Sequence, residues 1–191
     1  MLSAAQLQQL VDQAGAALQR IQNELGPDGV GGTVAFPRGY LSTLGAHIRG
    51  ILWIGNSTLA RNLCYHLIFG EVLRWLLNRT DLYGVARGMV IKHLIALMGG
   101  IAESLTVEAM RKLKHGKKSY AKRVAQLLTD RVIDQPTHDE LVWLWTSRSA
   151  IHVYEVTDLE AGKYEVKDSN RAVAVVRALS GALATRFGTA P

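Results

Sequence analysis

Arg148 and His152 stand four positions apart in LVWLWTSRSAIHVYEV, residues 141–156, and are the pair in this chain whose types and spacing suit the handling of a phosphate. A guanidinium can grip a phosphate through two parallel N–H bonds, and an imidazole can take or give a proton near neutral pH. In a helix the two lie one turn apart beside Trp145, at the edge of an apolar face made by Leu141, Leu144 and Ile151. Thr137 and Glu140 offer a capping box for its start. The same side chains can equally be structural, with the Arg paired to Glu155 or another acid and the His satisfied at the edge of the core.

Other chemistries find less support. The six His residues, at 47, 66, 93, 115, 138 and 152, include no His-x-x-x-His pair and have no carboxylate cluster beside them, so no metal site is expected. Neither a GxxxxGK[ST] loop nor a GxGxxG turn is present, which argues against a nucleotide or dinucleotide cofactor. Ser147 and Ser149 lie close to His152, but the GxSxG elbow that exposes a nucleophilic serine is absent.

The net charge of +6 is concentrated in one place. RKLKHGKKSYAKR, from Arg111 to Arg123, holds seven Lys or Arg and no acid, so the rest of the chain is close to neutral. Arg111, Lys112, Lys114, Lys117, Lys118, Lys122 and Arg123 could release counterions from a polyanion, and Tyr120 could stack a base. A solvated turn is the plainer explanation of the same run.

The elements that must position these groups read as helices almost throughout. With 191 residues, 48% of them hydrophobic, the chain can fill one core, and a single domain is expected, with an N-terminal helix and loop over 1–40 and a bundle over 41–191. Ser3 and Gln6 cap a first helix reaching Leu25, with Leu7, Leu10, Val11, Leu18 and Ile21 on one stripe. Gly26-Pro27 stops it. A short helix follows from Leu41 to Gly55, a long one from Asn56 or Ser57 to Arg79, and another from an Asp81 cap to Leu105. Thr106 to Lys114 reads as a turn-rich piece, and Ser119 to Val132 as a helix ended by Asp134-Gln135-Pro136. The helix of Arg148 comes next, then an extended turn over Thr157 to Asp168, and a last helix capped by Asp168 or Ser169. About seven helical segments without strand pattern predict an all-α, up-and-down helical bundle.

Cys64 is the single cysteine and cannot form an internal bridge, which fits a reducing, cytoplasmic setting. The N-terminal MLSAAQLQQLVDQ lacks the pattern of a signal peptide. The most apolar windows, Leu41 to Ile54 and Met89 to Ala102, fall short of the roughly twenty residues needed to span a bilayer, so no membrane span is expected.

An apolar-aromatic helix over Leu141 to Trp145, then Arg148, Ser149-Ala150, Ile151-His152, Tyr164 and a final helix from Asp168 to Leu183, resembles the C-terminal half of HEPN domains. KHLIALMGGIAESL, from Lys92 to Leu105, is similar to their middle helix, which ends in a Glu and a Leu. The resemblance covers roughly the last hundred residues through short motifs. It implies a helical bundle that pairs with a second copy. In catalytic members it also implies an Arg and a His from each protomer meeting at a metal-independent RNA-cleaving site. There Arg148 would steady the phosphate and His152 would act as acid or base while a 2′-hydroxyl attacks. The family's pattern separates Arg from His by four to six residues, commonly with Asn, Asp or His after the Arg, whereas Arg148 to His152 has three between and Ser149 next. The wider spacing recurs at Arg61-Asn62 to His66, Arg87 to His93 and Arg131 to His138. Only the first has the favoured Asn, so Arg61, Asn62 and His66 form the second candidate set. The alternative to an RNA-binding or RNA-cleaving protein is a catalytically silent helical dimerisation or interaction module.

Overall fold

The computed structural model describes residues 1–26, 34–149 and 162–188. Seven helices and no strand occur among the described residues: α1 (Ala4–Leu25), α2 (Leu44–Arg49), α3 (Ser57–Arg79), α4 (Gly84–Lys112), α5 (Tyr120–Thr129), α6 (Gln135–Ser149) and α7 (Val166–Phe187). The protein is all-α. The chain divides into two compact units, Met1–Arg38 and Gly39–Pro191.

In the first unit, α1 starts with the reciprocal cap read from the sequence. Ser3 Oγ accepts from Gln6 N at 3.2 Å, and Gln6 Oε1 accepts from Ser3 N at 2.9 Å. Gly26, at φ 67 and ψ −177, ends it in a region of backbone space that is essentially glycine's alone. None of the α1 residues is buried, and Leu7, Leu10, Val11, Leu18 and Ile21 are exposed.

In the second unit α4 is the central element and packs against α3, α5, α6 and α7. Leu94, Ile95, Met98, Ile101, Leu105 and Met110 are all buried along it, on more sides than a one-faced surface helix would cover. At about 1.5–3 kcal/mol for each fully buried large aliphatic side chain, this helix supplies the largest single share of the core's apolar burial. Its length corrects the shorter apolar window seen in the sequence. Among the described residues α4 alone is long and apolar enough to cross a bilayer, by length and composition, as core helices also can be. Here Ile91, Leu94, Ile95, Met98, Ile101 and Leu105 are buried within the bundle, while Val85 and Val107 are exposed.

The helix boundaries differ from expectation where a turn signal lies close to a continuing apolar face. The segment Thr106 to Lys112 is helical, because Thr106, Ala109 and Met110 are buried and keep the inward stripe going. Thr106 turns its hydroxyl back to the Glu103 carbonyl at 2.8 Å, so it does not interrupt the helix. The helix ends where Lys114 takes φ 57 and His115 N closes on Met110 O at 3.0 Å. Asp81 caps nothing: α4 begins at Gly84, with Tyr83 as an N-cap that makes no side-chain bond. Glu165, rather than Asp168 or Ser169, is the N-cap of α7, and Asp168 reciprocates by accepting from Glu165 N at 2.8 Å. The second helix is only six residues long, capped by Thr43. Of the turn expected over Thr157 to Asp168, residues 157–161 lie outside the described residues, Gly162 to Glu165 are non-helical, and Val166 to Asp168 already form the first turn of α7, so the extended pattern stops earlier than expected. Everything past Ser149 in the helix of Arg148 also lies outside the described residues.

The start of α6 is also reassigned. Asp134-Gln135-Pro136 does not end α5, which stops at Thr129; it opens α6, where a proline in the first turn sacrifices no intrahelical bond. Asp134 Oδ1 accepts from Thr137 N at 3.0 Å, and hydrogen bonding to Thr137 holds the Asp134 carboxyl below its usual range. Folding therefore lowers this pKa, so the cap's contribution is complete above the ordinary Asp value of about 3.9 and is lost as pH falls through the lower folded value. Asp134→Ala is expected to lower the melting temperature by a few degrees at pH 7. The gap to wild type should shrink in acid, and a gap that persists unchanged at the acid end of a pH series of thermal melts would contradict the assignment of the cap.

Candidate functional site

Arg148 sits in the last turn of α6, and its side chain lies on the backbone of α4 at Gly99. A Cβ at Gly99 would fall 2.7 Å from Arg148 Cδ and 2.9 Å from Arg148 Cβ, so only glycine admits the arginine stem there. The stem's position delivers the guanidinium to Glu103, one turn further along α4, where Nη2 meets Oε2 at 2.9 Å. The guanidinium also lies over the Trp145 ring at 4.7 Å.

That ring continues a stack. Trp145 lies on Tyr120, with centroids 4.2 Å apart and planes within 9°, and Arg123 covers Tyr120 at 5.6 Å. The result is a cation, two aromatic rings and a second cation, with Arg148 and Trp145 from α6 and Tyr120 and Arg123 from α5. Arg123 is 8% exposed, so its charge needs internal partners. Its Nε donates to Thr106 Oγ1 at 3.1 Å and its Nη1 to the Lys118 carbonyl at 2.7 Å, while Nη2 stands 3.8 Å from Glu103 Oε1. One carboxylate on α4 thus faces two guanidiniums. Tyr120 is sealed within the stack, with its hydroxyl donating to the Leu141 carbonyl at 3.4 Å, and burial pushes its phenol pKa well above the ordinary value.

The free edge of Arg148 borders a cleft of 370 Å³ between α3 and α4, lined also by His66, Ala96, Leu97, Gly100 and Ser104. His66 is exposed. Its Nδ1 lies 2.7 Å from the Asn62 carbonyl, which can only accept, so Nδ1 carries the proton and Nε2 is left as a free acceptor. Asn62 and Arg61 are exposed on the same turn of α3. The structure therefore brings the leading Arg candidate and the second-ranked His candidate to one cleft. His152, the partner that spacing alone assigns to Arg148, lies outside the described residues.

The basic stretch sorts into three kinds of side chain. Arg123 and Tyr120 belong to the interior, which corrects the expectation that they face a strand of nucleic acid; their burial leaves neither a free guanidinium nor an open ring face. Arg111 and Lys118 are engaged locally. Arg111 makes two bonds to Glu108, at 2.8 and 2.6 Å, and this pairing holds the buried Glu108 carboxyl below the usual range. Lys118 donates to Gln126 Oε1 at 2.6 Å. Lys112, Lys114, Lys117 and Lys122 are exposed, and among the described residues none of them is in an ion pair. His115, at the centre of the turn, bonds Asp130 at 2.8 Å, which draws the Asp130 carboxyl downward.

Glu103 and Gly99 are functional neighbours that residue type and spacing do not single out. The Gly99-Gly100 pair inside an apolar helix is the signal that could have found them, because adjacent glycines at a packed position mark close approach. No group of three His, Cys, Asp or Glu side chains suited to hold a metal ion occurs among the described residues.

The two glycines give opposite expectations on substitution. Gly99→Ala forces Arg148 off the helix and should cost about 1–3 kcal/mol by overpacking. At Gly100 an added Cβ meets nothing within 4 Å, so Gly100→Ala should stabilise by up to about 1 kcal/mol. Chemical denaturation of both variants checks this, and equal effects would contradict the placement of the Arg148 stem. No family model matches the chain, and neither a curated protein nor a solved structure is significantly similar to it.

Proposed function

We propose that this chain is an HEPN-like helical protein that binds RNA through the turn between α4 and α5. The observation that carries the reading is the set of four exposed lysines, Lys112, Lys114, Lys117 and Lys122, which lack ion-pair partners among the described residues and lie within the α4–α5 turn or on the helix ends that flank it. Such a turn neutralises phosphates with little need for sequence recognition. Pairing with a second copy, implied by the same resemblance, belongs to the proposal, and the unburied apolar stripe of α1 offers a surface for it. The free, buried thiol of Cys64 is in keeping with a cytoplasmic setting.

A second reading, metal-independent RNA cleavage, is favoured by the cleft that Arg148 and His66 share. Arg148 would neutralise a phosphate, and a His, either His66 through its Nε2 or His152, would take the 2′-hydroxyl proton. The departing 5′-oxygen would collect a proton in turn, leaving a 2′,3′-cyclic phosphate. Against cleavage, and in favour of a silent interaction module, stands the Arg148–Glu103 pair, which occupies the guanidinium in the absence of ligand.

Binding of a single-stranded RNA 20-mer, followed by fluorescence anisotropy, should weaken with salt with a log–log slope of about −3, from four phosphates at about −0.7 each. Replacing the four lysines by alanine should flatten that slope. A flat response in the wild-type protein removes the binding reading. For cleavage, RNA incubated with chelator should yield cyclic-phosphate ends that disappear in Arg148→Ala. RNA left intact, or cutting that survives both His66→Ala and His152→Ala, removes the second reading. If Arg148→Ala instead shifts oligomeric mass in light scattering and leaves RNA affinity unchanged, the interaction module is what remains.

A further inference from the structure

A second cavity, of 230 Å³, opens among α2, α3, α4 and α7, away from the basic turn. Its walls are aliphatic, formed by Leu63, Leu67, Met98, Ile101, Leu105 and Val176. Its polar rim consists of His47, Glu71, Arg74, Arg177 and Ser180. Among these, the one acid is already committed: Glu71 Oε2 accepts from Ser42 N at 2.7 Å and Oε1 from Ser42 Oγ at 2.7 Å. His47 Nε2 is 3.3 Å from the same Oε1 but off the line of a hydrogen bond.

The two arginines are not committed. Among the described residues neither Arg74 nor Arg177 has an ion-pair partner, and Arg74 Nε is shielded from solvent without any hydrogen bond. A buried donor left unmade is unfavourable and rare in native structures. Aliphatic walls with two unpaired guanidiniums at the mouth call for a ligand that is apolar along its length and anionic at one end.

We propose that this cavity binds a medium-chain alkyl carboxylate, with the tail among Leu63, Leu67, Met98 and Val176 and the carboxylate at Arg74 and Arg177. The planar carboxylate matches the fork of a guanidinium and supplies the acceptor that Arg74 Nε lacks. Size sets the chain length. At roughly 30 Å³ per water-sized group the cavity holds about eight such groups, enough for a chain of about eight carbons and too small for a two-tailed lipid. Each added methylene should tighten binding about fourfold while the cavity has room, the equivalent of about 0.8 kcal/mol. The gain should stop once the tail outgrows the walls.

Isothermal titration of the full chain with hexanoate, octanoate and dodecanoate, and with octanol as the uncharged control, tests the assignment. Saturable 1:1 binding is expected for octanoate, about fifteenfold tighter than hexanoate for its two extra methylenes, with dodecanoate no tighter and octanol at least tenfold weaker. Arg74→Gln and the more exposed Arg177→Gln should each weaken octanoate about tenfold or more. Ser180→Trp should block the mouth with the helical melt unchanged. No saturable binding, octanol equal to octanoate, or wild-type affinity in folded Arg74→Gln and Arg177→Gln proteins would each overturn the proposal.

Discussion

A single carboxylate, Glu103, faces the guanidiniums of Arg123 and Arg148, and much of the second unit's geometry follows from that arrangement. Arg123 is buried, and a buried cation without a counter-charge loses several kcal/mol of solvation that neutral acceptors replace only in part. Thr106 and the Lys118 carbonyl satisfy two of its donors, while Glu103 supplies the opposite charge. The two rings between the cations present their negative faces outward to them, so Trp145 and Tyr120 favour the same placement that Glu103 enforces. One residue on α4 thereby faces a cation from each of α5 and α6. Arg148 can be fixed in this way only because Gly99 gives its stem room.

The helices were legible because their apolar residues recur at helical spacing, and the centrality of α4 was legible because that pattern is broad along Met89 to Ile101. Boundaries were less so. At Thr106 and at Pro136 a residue with local turn chemistry lies where tertiary burial or a first-turn position makes it compatible with helix, and local signals alone cannot weigh that. The burial of Tyr120 and Arg123 is a different case. Tyr120, Arg123, Val124 and Leu127 fall at i, i+3, i+4 and i+7, the inward face of α5, and all four are buried. Counting charge along the chain hid a period that was present in the same letters.

The candidate site was half legible for a physical reason. Spacing along one helix can propose Arg148 with His152, four residues apart, or Arg61 with His66, which have the family's gap, because both pairs lie close in the chain. It cannot propose Arg148 with His66, since that neighbourhood exists only through the packing of α3 and α6 against α4. Leu63 and Ile101 wall both this cleft and the aliphatic cavity behind it, so the two openings share a partition of core side chains. Substitutions at either of those residues will report on both.

The Arg148–Glu103 pair is of a kind with which an anion can compete. Both side chains are about a third exposed, and ion pairs at such positions contribute about 0–1 kcal/mol. A phosphate oxygen would meet the same guanidinium under the same screening, so a ligand held nearby by other contacts competes with Glu103 on comparable terms. Glu103 is not stranded by that exchange, because Arg123 stands 3.8 Å away with an unsatisfied Nη2. A modest rotation of the carboxylate would give Arg123 the bond it lacks at the moment Arg148 is released. The second guanidinium lowers the cost of freeing the first, and through it a buried residue bears on whether Arg148 is available to any anion.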